Sequence, residues 1–148
     1  EARKRILYGM KQCDIMKISE EEVAFVSEQE SLEKGVSFIR DNSDIKILFV
    51  TLGNKGSIAY YKDEKIYCGG IHQEHVVDTT GAGDTFCGAV LSRILELGTD
   101  ALTEKDIREM LLFANAAASI VVTRKGALCS MPEPEEIRAA SSLIDKVL

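Results

Sequence analysis

The sequence predicts an α/β fold of layered helices and sheet, and three observations carry that reading. The run Ile45 to Val50 (IKILFV) is nearly all apolar and bounded by polar residues, the pattern of a strand buried on both faces of a parallel sheet. Strand-like runs alternate with segments whose apolar residues recur at helical spacing, as a layered α/β sandwich requires. Two short strand-like runs flank Lys62-Asp63-Glu64 and read as a β-hairpin inserted on that sheet.

The elements follow in order. Ile6, Leu7 and Met10 are spaced for a helix over 1–12, and Asp14 to Lys17 (DIMK) reads as a short strand. Ser19 and Glu22 have the S-x-x-E form of a capping box, so a helix starts there. Leu32, Val36 and Ile39 share one side of a helix over 31–41. After the buried strand, Thr51-Leu52-Gly53-Asn54-Lys55-Gly56 punctuates the chain ahead of the hairpin, Ser57 to Tyr61 and Lys65 to Cys68. His75 to Val77 reads as one more short strand. A glycine-containing loop, Asp78 to Gly83, then leads into a helix from Asp84 to Leu97, which Gly98 caps. Thr103 and Asp106 resemble an N-cap pair for a long helix ending near Thr123 or Arg124, where Gly126 breaks it. Pro134 suits the first turn of a final helix, Glu135 to Val147. No repeat, low-complexity tract or linker divides residues 1–148, so a single domain is expected. The start at Glu1, without methionine and in helical pattern, suggests an upstream portion.

Composition narrows the function classes. The 148 residues are 45% hydrophobic, enough for a core, and carry 18 Lys and Arg against 24 Asp and Glu, a net charge of −6. That balance argues against broad binding to nucleic acid or anionic membrane, though a small anion can still be held by backbone amides at a helix end. No stretch approaches the roughly 18 apolar residues of a membrane span, and the N-terminus lacks signal-peptide features. Cys13, Cys68, Cys87 and Cys129 form no C-x-x-C pair, and His72 and His75 have no cysteine at zinc-ligand spacing. Reduced thiols, exposed histidines and a cytoplasmic location are expected.

The residues that carry chemistry are Asp78-Thr79-Thr80-Gly81-Ala82-Gly83-Asp84-Thr85-Phe86. Two glycines just ahead of a helix let backbone N–H groups converge on one point, where the helix dipole adds positive potential: an anion hole. A carboxylate at Asp84, on the first turn, can accept a proton from an attacking alcohol. On these residues alone, Asp84 could equally be a charge favourable to the helix dipole and the glycines a packing device. The loop lacks the G-x-x-x-x-G-K-[ST] of a P-loop, and Phe86 stands where a dinucleotide fingerprint needs its third glycine.

The string DTTGAGDTF closely resembles the signature of the ribokinase-like (PfkB) carbohydrate kinases, and the order of the other segments is similar to that family across the chain. The resemblance implies a three-layer α/β/α sandwich with a mostly parallel sheet. It implies Asp84 as the base that deprotonates the substrate hydroxyl, with the amides of Gly81, Ala82, Gly83 and Asp84 as the anion hole. Thr51, Gly53 and Gly56 resemble the segment lining the nucleotide phosphates and ribose, although T-L-G-x-x-G alone is what a hairpin needs anyway. Asn115 and Ser119, in a run of small residues that could equally serve helix packing, correspond to the adenine border. Thr123-Arg124-Lys125-Gly126-Ala127 resembles the loop that completes the nucleotide pocket.

The same resemblance implies ATP with magnesium, the latter organised through water by Glu22 of a segment that usually reads Asn-x-x-Glu. Here Ser19 replaces the asparagine, and the capping box remains an alternative role for both residues. Asp78 and Thr80, with carbonyls near Gly126, correspond to a monovalent-cation site whose all-oxygen ligands suit potassium. The acceptor-binding residues, and a lid that often mediates homodimers, belong to an N-terminal half not found in these residues. The segments KISEEE and MPEPEEI are most similar to bacterial fructokinases, so fructose phosphorylated to fructose 6-phosphate is expected. The alternatives are another acceptor (2-keto-3-deoxygluconate, ribose, tagatose phosphate or a nucleoside) or a non-catalytic nucleotide-binding module of the same fold.

Overall fold

The computed structural model describes residues 1–144. In chain order the elements are α1 (Ala2–Met10), β1 (Ile15–Ser19), α2 (Glu20–Ser27), α3 (Leu32–Asp41), β2 (Ile47–Thr51), β3 (Gly56–Tyr61), β4 (Glu64–Gly69), α4 (Ala82–Leu97), α5 (Glu104–Val121) and α6 (Pro134–Ile144). Short 3-10 turns occupy Gly53–Lys55 and Leu128–Ser130.

The sheet order is β1-β2-β3-β4. Only β1 and β2 run parallel, joined by a crossover through α2 and α3; β2–β3 and β3–β4 are antiparallel. The sheet is therefore mixed here, not mostly parallel. The cause is local: a four-residue connection (52–55) and a two-residue loop (62–63) return the chain at once, and connections that short permit only antiparallel neighbours.

Strand alternation builds two cores. Ile47 and Phe49 of β2, Ala59 and Tyr61 of β3 and Ile66 of β4 face α4, α5 and α6. Leu48 and Val50 of β2, with Ile58 and Tyr60 of β3, face α2 and α3. The result is three layers, helix on sheet on helix. Each fully buried aliphatic or aromatic side chain contributes about 1.5–3 kcal/mol. Phe49 and Phe86 meet edge to face, with ring centroids 6.3 Å apart, and this contact seats the start of α4 on the sheet.

Helix starts follow the expected chemistry. Ser19 Oγ accepts from the Glu22 amide at 3.2 Å while the Glu22 carboxylate accepts from the Ser19 amide at 2.8 Å. Thr103 and Asp106 form the same reciprocal box on α5. Gly98 ends α4 with φ 77°. Two expectations are corrected. Residues 75–77 form no strand; the Val77 amide donates to the Val122 carbonyl at 2.8 Å and the Asp78 amide to the same carbonyl at 3.3 Å, just past the end of α5. Helix α4 begins at Ala82, two residues early, because Gly81 with φ 85° serves as its N-cap. The last residues of the expected final helix, 145–147, lie outside the described residues.

Candidate active site

Ser19 and Thr51 are register partners at the carboxyl ends of β1 and β2. Beyond them opens a cleft of about 500 Å³, placed where open α/β sheets bind ligands. Its walls are the 53–56 turn, the segment after β4, the first turn of α4 and one face of α5. A larger groove of about 770 Å³ lies at the other end of β2 and β3, around Arg40, Lys62 and Lys65, and touches none of the motif residues. Chemistry, not size, selects the first.

The loop ahead of α4 holds its donors in distinct states. The Ala82 amide turns back onto the Thr79 carbonyl at 3.3 Å. The amides of Gly81, Gly83 and Asp84 have no hydrogen-bond acceptor among the described residues, as expected of a helix start. Ala82 and Gly83 line the cleft. Gly81 packs against the 123–131 loop instead: a β-carbon there would lie 3.0 Å from that of Ala127. Asp84 is exposed on the first turn, with no ion-pair or hydrogen-bond partner for its carboxylate among the described residues.

Asp78 joins the two loops behind α4. Its Oδ1 accepts from the Thr80 amide at 2.9 Å and its Oδ2 from the Gly126 amide at 3.2 Å. Bonds from the Thr80 amide and hydroxyl, then from the Gly126 amide, hold the Asp78 carboxyl below the usual carboxylate range. Gly126 adopts φ 96°, and its carbonyl accepts from the Ser130 hydroxyl. Asp78, Thr80 and Gly126 are thus brought together by these bonds. Among the described residues no three His, Cys, Asp or Glu side chains converge as a metal cage.

The other expected positions divide. Thr51, Gly53, Gly56, Asn115 and Ser119 all line the cleft. The Asn115 amide is, however, engaged within the protein, and the Ser119 hydroxyl donates to the Ala116 carbonyl at 2.8 Å. Glu22 does not line the cleft, its carboxylate being held in the cap; the neighbouring Glu21 does line it. Glu21 is held below the usual carboxylate range by its own amide and the Ser19 hydroxyl, and then by Lys55 and Lys17.

Sequence reasoning missed Glu21 and further residues. His72 and Gln73 enter the wall from the segment after β4, and a lone histidine in a polar stretch carries no signal of that. Lys17 reaches Gly83. It did carry a signal, since it stands two residues before Ser19 and so shares its face of β1.

Residues 1–134 match the model of the pfkB family carbohydrate kinases. The chain belongs to that family. Among its relatives, this pfkB-family chain is 40% identical over 139 residues to fructokinase-1 of Oryza sativa subsp. japonica, covering 93% of the chain and 42% of the rice protein. A fructokinase from Vibrio cholerae O395, solved in fructose, ADP and calcium ion bound form, superposes with a TM-score of 0.83 at 30% identity, covering 93% of this chain and 43% of that one. A double mutant of the Vibrio enzyme was solved with fructose, ADP and potassium ion. Ribokinase of Arabidopsis thaliana, complexed with ribose and ATP, gives a TM-score of 0.76 at 33% identity, covering 89% of this chain and 42% of that one. The pfkB-family chain thus has the ribokinase-like fold and spans about 42% of the length of the curated relatives it matches. Among its described residues, no helix is long and apolar enough to cross a membrane.

Proposed function

We propose that this chain supplies the nucleotide site and the catalytic base of an ATP-dependent sugar kinase whose acceptor is fructose, giving fructose 6-phosphate. One observation carries the reading: the amides of Gly81, Gly83 and Asp84, without acceptors among the described residues, lie on one helix start with an Asp84 carboxylate unpaired among those residues, beside a cleft at the carboxyl end of the sheet. In phosphoryl transfer, charge spreads over the equatorial oxygens of the moving group, and fixed donors aimed there stabilise it. Asp84 takes the proton of the sugar hydroxyl; the sugar oxygen bonds to the γ-phosphorus as the bond to ADP breaks.

The Thr51, Gly53 and Gly56 segment borders the nucleotide phosphates and ribose, and Asn115 and Ser119 offer a flat wall to the base. Magnesium would neutralise the nucleotide phosphates, with Glu21 on the cleft wall and Glu22 next to it in sequence to hold its waters. Asp78, Thr80 and carbonyls near Gly126 would hold potassium. The acceptor contacts, the lid and any dimer contact made by it come from the N-terminal half that the relatives possess, and the protein works in a reducing, cytoplasmic setting.

The fructokinases among the relatives favour fructose over other acceptors. The test is a turnover screen of the whole protein with ATP, magnesium and a panel of sugars. Fructose should give the highest kcat/KM. Preference for ribose or 2-keto-3-deoxygluconate would change the acceptor, and no turnover with any would leave a nucleotide-binding module.

A further inference from the structure

Lys17 lies in β1 opposite Phe49 of β2, on the face of the sheet that carries α4. Its ammonium reaches the first turn of that helix: a β-carbon built on Gly83 would stand 3.0 Å from Nζ and 3.8 Å from Cε. A side chain at 83 would make the lysine tip shift by a few tenths of an ångström. Lys17 is half-buried, and among the described residues it makes no ion pair. Of the nearby acids, Glu20 pairs with Lys55 at 3.6 Å and Glu22 with the Ser19 amide, while Glu21 on the cleft wall feels the charge of Lys17 without forming an ion pair with it among the described residues.

This placement beside a helix start is electrostatically unfavourable, and the Glu21 carboxylate offsets only part of it. A helix start carries about half a positive charge, and free amides point outward there. A lysine set against such a start repels it unless an anion lies between them. Surface lysines ordinarily swing to solvent or to a carboxylate, because a strongly hydrated ammonium gains nothing from a second positive centre.

We infer that Lys17 is a further catalytic group: its ammonium holds a non-bridging oxygen of the γ-phosphoryl, facing the Gly83 and Asp84 amides across it. The inference rests on the kinase reading of the same cleft. Lysine offers three donors and a full charge, so it would grip the terminal phosphoryl in bound ATP and keep that grip as charge redistributes during transfer. It would make no such contact with ADP, which lacks that group.

The test uses the whole protein as wild type, Lys17→Met and Lys17→Arg, with calorimetry for ATP and ADP beside steady-state kinetics. Lys17→Met should lower kcat about 100-fold, the cost of removing one donor from an anion hole, with sugar KM changed less than about threefold. ATP affinity should fall about tenfold, as for loss of one charged hydrogen bond, while ADP affinity stays within about twofold. Lys17→Arg, which retains the charge, should recover part of both losses. Lys17→Gln carries the same expectation as methionine where an apolar tip impairs folding. An ATP-to-ADP affinity ratio that does not change, or a kcat within threefold of wild type, overturns the inference. If the wild type turns over no acceptor, the kinase reading fails, and the affinity ratio alone still decides the role of Lys17.

Discussion

Asn115 on α5 and Ser57 on β3 share a buried hydrogen bond of 2.9 Å, and the Asn115 amide nitrogen donates at 3.2 Å to the carbonyls of both Cys68 and Gly69 on β4. One side chain therefore ties the helix to both strands of the hairpin at the back of the cleft. With its amide engaged, Asn115 presents a shaped wall to a ligand. Asn115→Ala would leave a hydroxyl and two carbonyls without their partner, at about 1–3 kcal/mol for a buried polar group left unpaired. The expected outcome is a stability loss of about 2 kcal/mol or more in urea denaturation, with nucleotide affinity falling as a consequence of the moved wall.

The two glycines of the turn after β2 are not equivalent. Gly53 has φ 59°, with open space where a β-carbon would go, so Gly53→Ala should cost about 1 kcal/mol, the ordinary left-handed penalty. Gly56 has φ 108°, and a β-carbon there would lie 2.2 Å from the Cys68 carbonyl oxygen and 2.5 Å from the Gly70 nitrogen. Gly56→Ala must displace backbone, so it should cost about 3 kcal/mol or more. Thermal unfolding of the pair checks the order; equal losses would contradict the assigned crowding.

Asp78 sets a pH dependence with a definite sign. Its folded carboxyl is depressed below the ordinary value of 3.8, mainly by the Thr80 amide. The bonds to Thr80 and Gly126 therefore contribute fully above that ordinary value and are lost as pH falls below it through the folded value. Asp78→Asn should flatten the acid limb of the stability profile and loosen the 123–131 loop, seen as faster amide exchange at Gly126. In the proposed kinase, replacing potassium by tetramethylammonium at constant ionic strength should lower turnover or raise the ATP KM. The Asp78→Asn variant should no longer respond to the exchange.

Much of the fold and of the α4 start is legible in the residues themselves, for local reasons. Ser19-x-x-Glu22 and Thr103-x-x-Asp106 declare helix starts because both partners of each cap lie within one turn. Ile47 to Val50 declares a strand covered on both faces, and the two core clusters divide its residues alternately. The glycines before α4 declare a helix start with free donors.

What stayed hidden depends on contacts distant in sequence. The strand-like pattern of His75 to Val77 is overridden by a contact distant in sequence, the Val77 amide donating to the Val122 carbonyl. Whether Glu21 or Glu22 faces the cleft depends on which carboxylate completes the cap. The reach of Lys17 to Gly83 depends on how Phe49 and Phe86 seat α4 against the sheet.

The central claim is that Asp84 is the base of a phosphoryl transfer performed at the α4 start, and Asp84→Asn in the whole protein tests it most directly. Asparagine keeps the size of the side chain and the backbone donors of Gly81, Gly83 and position 84, and it removes only the proton acceptor. With saturating ATP, magnesium and fructose, kcat should fall by about 100-fold to 10,000-fold, the range for a general base. ATP affinity by calorimetry should stay within about threefold. A variant that keeps kcat near wild type under these conditions would contradict the account.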